Sequence, residues 1–168
     1  MTAAIPDEPR EAFEAHEAIV PAGEAFEIET TSFEGTVTAV ATEAEWKHRY
    51  TVTVRVPTLD AATAEAVGPA VVDGWLDTLE RRLEDAPKAT RATVELAAFD
   101  VETVGNEVHI TYEFEYGDAE RAADIAKTFV EYVEGTYVEG VIPGYEYESP
   151  VDDLLTSASQ SDDYGPPL

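Results

Sequence analysis

From Glu107 to Tyr116 the chain alternates without a break: Val108, Ile110, Tyr112, Phe114 and Tyr116 take one side of an extended strand, and Glu107, His109, Thr111, Glu113 and Glu115 the other. A strict period of two cannot sit on a helix, whose faces recur every ~3.6 residues, so this stretch demands a sheet with one dry face and one wet face. Its partner is written just before it. Gly105-Asn106 is a two-residue turn that tolerates positive φ, which makes the two runs a β-hairpin. In the first arm the phase set by Val94 and Leu96 switches at Ala97-Ala98 to Phe99 and Val101, which predicts a bulge there.

A dry sheet face needs a cover, and two stretches supply it. Val72, Trp75, Leu76, Leu79 and Leu83 recur at helical spacing, with Asp73, Asp77, Glu80, Arg81 and Glu84 opposite them. Gly68-Pro69 interrupts the run, so a short turn over 61–66 and a main helix over 69–85 are expected, with Pro69 as first helical residue. After Gly117-Asp118, a capping signal, Ala122, Ile125, Ala126, Phe129, Tyr132, Val133 and Tyr137 form the stripe of a last helix that frays near Gly140. Earlier in the chain, residues 7–18 read as a first helix ended by Pro21-Ala-Gly23. Phe26, Ile28 and Thr30 mark a first strand, residues 36–42 a second, and Tyr50, Val52, Val54 and Val56 a third.

The order is therefore α-β-β-β-α-β-β-α, an α+β fold. The helix between strands three and four returns the chain to the same end of the sheet, so an all-antiparallel sheet requires strand five between them. The expectation is a five-stranded antiparallel sheet of order 1-2-3-5-4 with the helices on one face, that of Tyr50, Val52, Ile110 and Phe114. Arg49 and Arg55 then fall on the open face beside Glu107, Glu113 and Glu115. Residues 1–145 form a single domain, and 146–168 read as a disordered acidic tail.

Thirty-six acidic against ten basic residues give a formal charge of −26, spread along the whole chain. Self-repulsion of this size is best tolerated where the Debye length falls from about 8 Å toward about 3 Å, in a very salty cytosol, so haloadaptation is expected. Carboxylates lie near one another everywhere on such a surface, and paired Asp and Glu lose diagnostic value. The chain has no cysteine, which excludes disulfides and thiolate chemistry. No apolar run approaches the ~20 residues of a membrane span, and the amino terminus lacks the basic start and apolar core of a signal peptide. The expectation is a soluble, cytoplasmic protein.

The element order from residue 7 to about 140 resembles the type III secretion chaperone-like fold, shared by bacterial secretion chaperones and related sensory regulators. That resemblance implies dimerisation and capture of a partner segment. The chain as a whole, through Asp73-Gly-Trp-Leu76, the Arg81-Arg82 pair and its plentiful Ala and Thr, also looks like an uncharacterised haloarchaeal family, from which no activity transfers.

Motifs for chemistry are missing. Four of five serines, Ser149, Ser157, Ser159 and Ser161, lie in or beside the tail, and Ser32 sits in a turn where a hydroxyl bonds local backbone rather than forming a triad with His48 or His109. His16, His48 and His109 share no ligand spacing, and no glycine-rich phosphate loop occurs. No catalytic residue, metal ligand or cofactor is assigned. Lys47, His48, Arg49 and Arg55, and again Arg81, Arg82, Lys88 and Arg91, are near in sequence, but interleaved glutamates and the overall charge oppose nucleic acid. What remains are partner-binding candidates. Trp75 after Gly74 is either a cleft aromatic or, as favoured here, a core ring whose glycine lets helix and sheet approach. Arg81 and Arg82 flank its helix, and Tyr132, Tyr137, Tyr145 and Tyr147 are surface candidates. The expected function is a non-enzymatic protein- or peptide-binding, chaperone-like module, a possible homodimer. The alternative is a small-molecule enzyme or ligand-binding domain using carboxylates and arginines. A Glu–Arg pocket between the sheet and the first helix would favour the enzyme, and a flat apolar strip on the fourth strand or second helix the binder.

Overall fold

The computed structural model describes residues 4–163. Its elements are α1 (Asp7–Ala15), β1 (Ile19–Ala22), β2 (Ala25–Ile28), β3 (Glu34–Ala41), β4 (His48–Pro57), the single turn α2 (Leu59–Ala62), α3 (Pro69–Leu83), β5 (Leu96–Val104), β6 (Glu107–Tyr116), α4 (Ala119–Gly140) and α5 (Val151–Asp163). All strand pairs are antiparallel, in the order β1-β2-β3-β4-β6-β5.

The last hairpin forms as its alternation dictates. Gly105 takes φ +63° at the turn, and the register slips between Leu96 and Ala98, placing the bulge at the phase change. Tyr50, Val52, Ile110 and Phe114 are fully buried under the helices. The long helix α4 starts on Asp118, whose Oδ1 accepts the Arg121 N–H at 3.2 Å. Its Phe129 ring lies 5.0 Å from Tyr112 and 5.5 Å from Phe114, while Phe13 of α1 meets Phe26 and Tyr50 at 5.1 and 6.1 Å. These aromatics weld both helices to the centre of the sheet.

Two expectations are corrected. The sheet has six strands, not five. The extra one, β1, contains Pro21, which marks a helix stop in sequence; on a sheet edge, however, a proline gives up no ladder bond. Gly23 at φ +65° makes the turn into β2, and the five expected strands keep their relative order beside it. The disordered tail also does not begin at 146. Thr63 and Tyr147 bridge as an antiparallel pair, with Ala64 N–H on Glu146 O and Glu148 N–H on Ala62 O, both at 2.8 Å. Tyr147 and Val151 are buried in the core and Leu154 and Leu155 pack against it. Tyr147 just before the helix, and Val151, Leu154 and Leu155 within it, dock α5, and Asp152 and Asp153 in its first turn suit the helix dipole. The last five residues of the expected tail lie outside the described residues. Smaller shifts occur at α2, which is Leu59–Ala62 with Thr58 as its cap, and at α3, which stops at Leu83.

Gly35 on β3 shows how closely α4 is seated. A Cβ built there would stand 2.8 and 2.9 Å from the two methyl carbons of Val130. Gly35→Ala should therefore lower stability by about 1–3 kcal/mol, read as a reduced denaturant midpoint, through overpacking of β3 against α4. An unchanged midpoint would show that α4 can ride outward without loss.

Candidate functional site

The helices α3 and α4 bury their stripes on the sheet and leave a groove between their outer shoulders. It encloses about 360 Å³, and its apolar lining includes Ala70, Val71, Trp75, Leu79 and Ile142, with Gly74 and Gly140 on facing helices and Arg82 at one end. The volume lies at the small end of the range for ligand pockets. Trp75 is only 4% exposed and its ring meets Tyr137 edge-on at 5.6 Å. Its indole N–H, however, is buried with no hydrogen-bond partner among the described residues. A buried donor without an acceptor costs about 1–3 kcal/mol, a cost shared by the Tyr50 hydroxyl, which is likewise buried and unpaired among the described residues.

Gly74 does not have the role expected of it. A Cβ placed on it would meet nothing within 4 Å. The glycine sits on the outer face, not against the sheet, because α3 turns its Trp75, Leu79 and Leu83 inward.

The other candidates scatter. Tyr137 is fully buried, and its hydroxyl donates to Pro57 O at 3.0 Å; burial raises its pKa. Tyr132 donates to Arg82 O at 2.7 Å, beside the Tyr112 bond to Leu83 O at 2.7 Å, so two neighbouring carbonyls at the end of α3 are capped from α4 and β6. The Arg82 guanidinium reaches Glu139 at 3.6 Å. Arg81 is exposed on α3, and Tyr147 donates to Ile142 O within its own segment, next to a half-buried Tyr145. Of the seven, Trp75 and Arg82 line the groove.

The chain's other concentration of side-chain chemistry is at the far end of the sheet. Glu115 receives Lys47 at 2.7 Å and Arg49 at 2.8 Å. The hydrogen bonds from Lys47 and then Arg49 hold its pKa below the usual carboxylate range. Arg55, expected beside the β6 glutamates, turns instead to Glu34 on β3 at 3.5 Å. Trp46, in the β3–β4 turn, is 71% exposed. No periodicity marks a turn residue, so this side chain is invisible to the pattern reading; its one signal is an aromatic set among the charges of Glu43, Glu45, Lys47 and Arg49.

Comparison with known proteins covers nearly this whole architecture. The family described as Family of unknown function (DUF5813) matches residues 10–157, most of the chain. The chain belongs to this family. No curated protein and no solved structure matches it. The DUF5813 match runs from α1 into α5, so it takes in the groove, the Trp46 corner and the docked segment that follows α4. Among the described residues, no helix is long and apolar enough to cross a membrane.

Between α1 and the β1–β2 hairpin there is also a pocket of about 400 Å³ that includes Arg10, Glu14 and Glu24. Arg10 is committed to Asp7 and to Glu14, 3.8 Å away, on its own helix. Such exposed pairs along one helix face contribute little and belong to its solvated surface.

Proposed function

We propose that this protein is a non-enzymatic, chaperone-like binding module that receives an apolar segment of a protein partner in the groove between α3 and α4. The observation that carries it is the apolar groove of about 360 Å³ between the two helices, lined by Ala70, Val71, Leu79 and Ile142 with the Trp75 ring in its wall. Gly74 supports it. A glycine in a helix interior costs about 1 kcal/mol relative to alanine, and no internal neighbour here requires one. Close approach by another backbone does require one. The apolar residues on the second main helix favour a binder, while the pocket with Arg10, Glu14 and Glu24 beside α1 favours the alternative, a small-molecule enzyme or ligand-binding domain.

Gly74→Leu is the decisive substitution. It should stabilise the isolated chain by about 0.5–1 kcal/mol, since the side chain enters open space and helix propensity improves. Binding to an array of apolar peptides should fall at least about tenfold. Equal retention of the same peptides by parent and variant would remove the groove from consideration. A parent that sediments as a dimer and a variant that sediments as a monomer would make a second copy the occupant.

A further inference from the structure

Trp46 is exposed yet held. In its turn Thr42 Oγ1 accepts the Ala44 N–H at 3.1 Å, and the same hydroxyl lies 2.8 Å from Ala44 O and 3.0 Å from Lys47 O, which fixes the backbone on both sides of the indole. The ring edge rests on Gly117, where a Cβ would stand 3.1 Å from Cε3. A Cβ at 117 would also stand 3.2 Å from Trp46 O, so any other residue there would require the turn to give by a few tenths of an ångström. Lys47 Nζ lies 5.3 Å from the ring centroid and 2.7 Å from Glu115, so the indole and a carboxylate together form a seat for a cation, at present filled by the chain's own lysine. Val40, 40% exposed, lies opposite Arg49 in the register and lines a cavity of about 620 Å³ with Lys47, Arg49 and Glu115.

We infer that Trp46 anchors a second docking surface, separate from the groove, for the arginine- or lysine-bearing face of a partner protein. Rigidly presented tryptophans dominate binding energy where they occur in interfaces. The face of an indole attracts cations, and the exposed carboxylates of Glu43 and Glu45 stand in the same turn. The whole chain, at −26, steers basic partners toward itself and repels polyanions. The chemistry therefore selects a basic protein surface over a nucleic acid.

The probe is a synthetic peptide of alternating arginine and glycine, with a second in which glutamine replaces each arginine, titrated calorimetrically at about 0.1 M KCl, where the Debye length is about 10 Å. The arginine peptide should bind the wild-type chain and change its tryptophan emission. Trp46→Ala should weaken binding at least about fivefold, with Trp46→Phe between the two. Gly74→Leu should bind as wild type does, since the two surfaces are independent. All three variants should melt close to the parent, because neither position is packed in the core. Equal affinity for Trp46→Ala and wild type would mean that diffuse charge alone holds the peptide, and the proposal falls. It falls equally if the glutamine peptide binds as well as the arginine peptide, or if the wild type binds neither.

Discussion

A chain ending at Gly144 is expected to lose about 4–6 kcal/mol of stability and to melt roughly 10–20 °C lower than the full chain. The loss comes from withdrawing Tyr147 and Val151 from the core, uncovering the surface under Leu154 and Leu155, and breaking the two bonds between the 146–148 backbone and the end of α2. Burying one large apolar side chain contributes about 1.5–3 kcal/mol, so two buried anchors and two partial ones reach this range. A circular dichroism melt at fixed salt reads the difference. A shortened chain melting within a degree or two of the full one would mean that this segment adds no stability, and α5 would be an ornament on a domain that is complete without it.

Trp75→Ala should cost about 3–5 kcal/mol, the usual result of emptying a large aromatic site. The ring is nearly fully buried, stands edge-on to Tyr137 and supports Leu79 along the same stripe. Trp75→Phe separates packing from hydrogen bonding. It should keep most of the stability, because it removes a donor that has no partner among the described residues, and peptide binding should hold within about twofold, since the buried N–H is closed to a partner. Urea midpoints and peptide affinities on the two variants test both halves. A Trp75→Phe chain that binds peptides at least about tenfold more weakly than wild type would mean that the N–H is uncovered and used when the groove is filled.

How much of this was legible in advance follows from which residues carry a period. The β5–β6 hairpin, its bulge, the α4 stripe and the central β3-β4-β6-β5 order could be read because alternation and helical spacing are repeated signals, each confirmed by the next residue. The strand β1 could not, since it is four residues long and its Pro21 imitates a helix stop. The docking of α5 was hidden for a similar reason: Tyr147, Val151, Leu154 and Leu155 are a few apolar residues, without a sustained period, in a segment otherwise rich in acid and serine. At the candidate site, helical spacing correctly sent Trp75 inward, but it says nothing about what stands beside a glycine, so Gly74 was given an internal neighbour it lacks. Trp46 belongs to a turn, where each residue answers to local hydrogen bonds rather than to a repeat.

The two edges of the sheet limit how molecules of this kind can meet. At one end β1 offers an incoming strand only four residues, one of which is Pro21 with no N–H to give. At the other end β5 is long enough to recruit a strand, but its ladder is broken by the bulge near Ala98 and it carries Asp100 and Glu102. A neighbouring molecule brings the same acidic edge, so main-chain zippering between copies is opposed at both margins. Crowded solutions of this protein should therefore resist β-aggregation, and whatever grips it must do so through side chains.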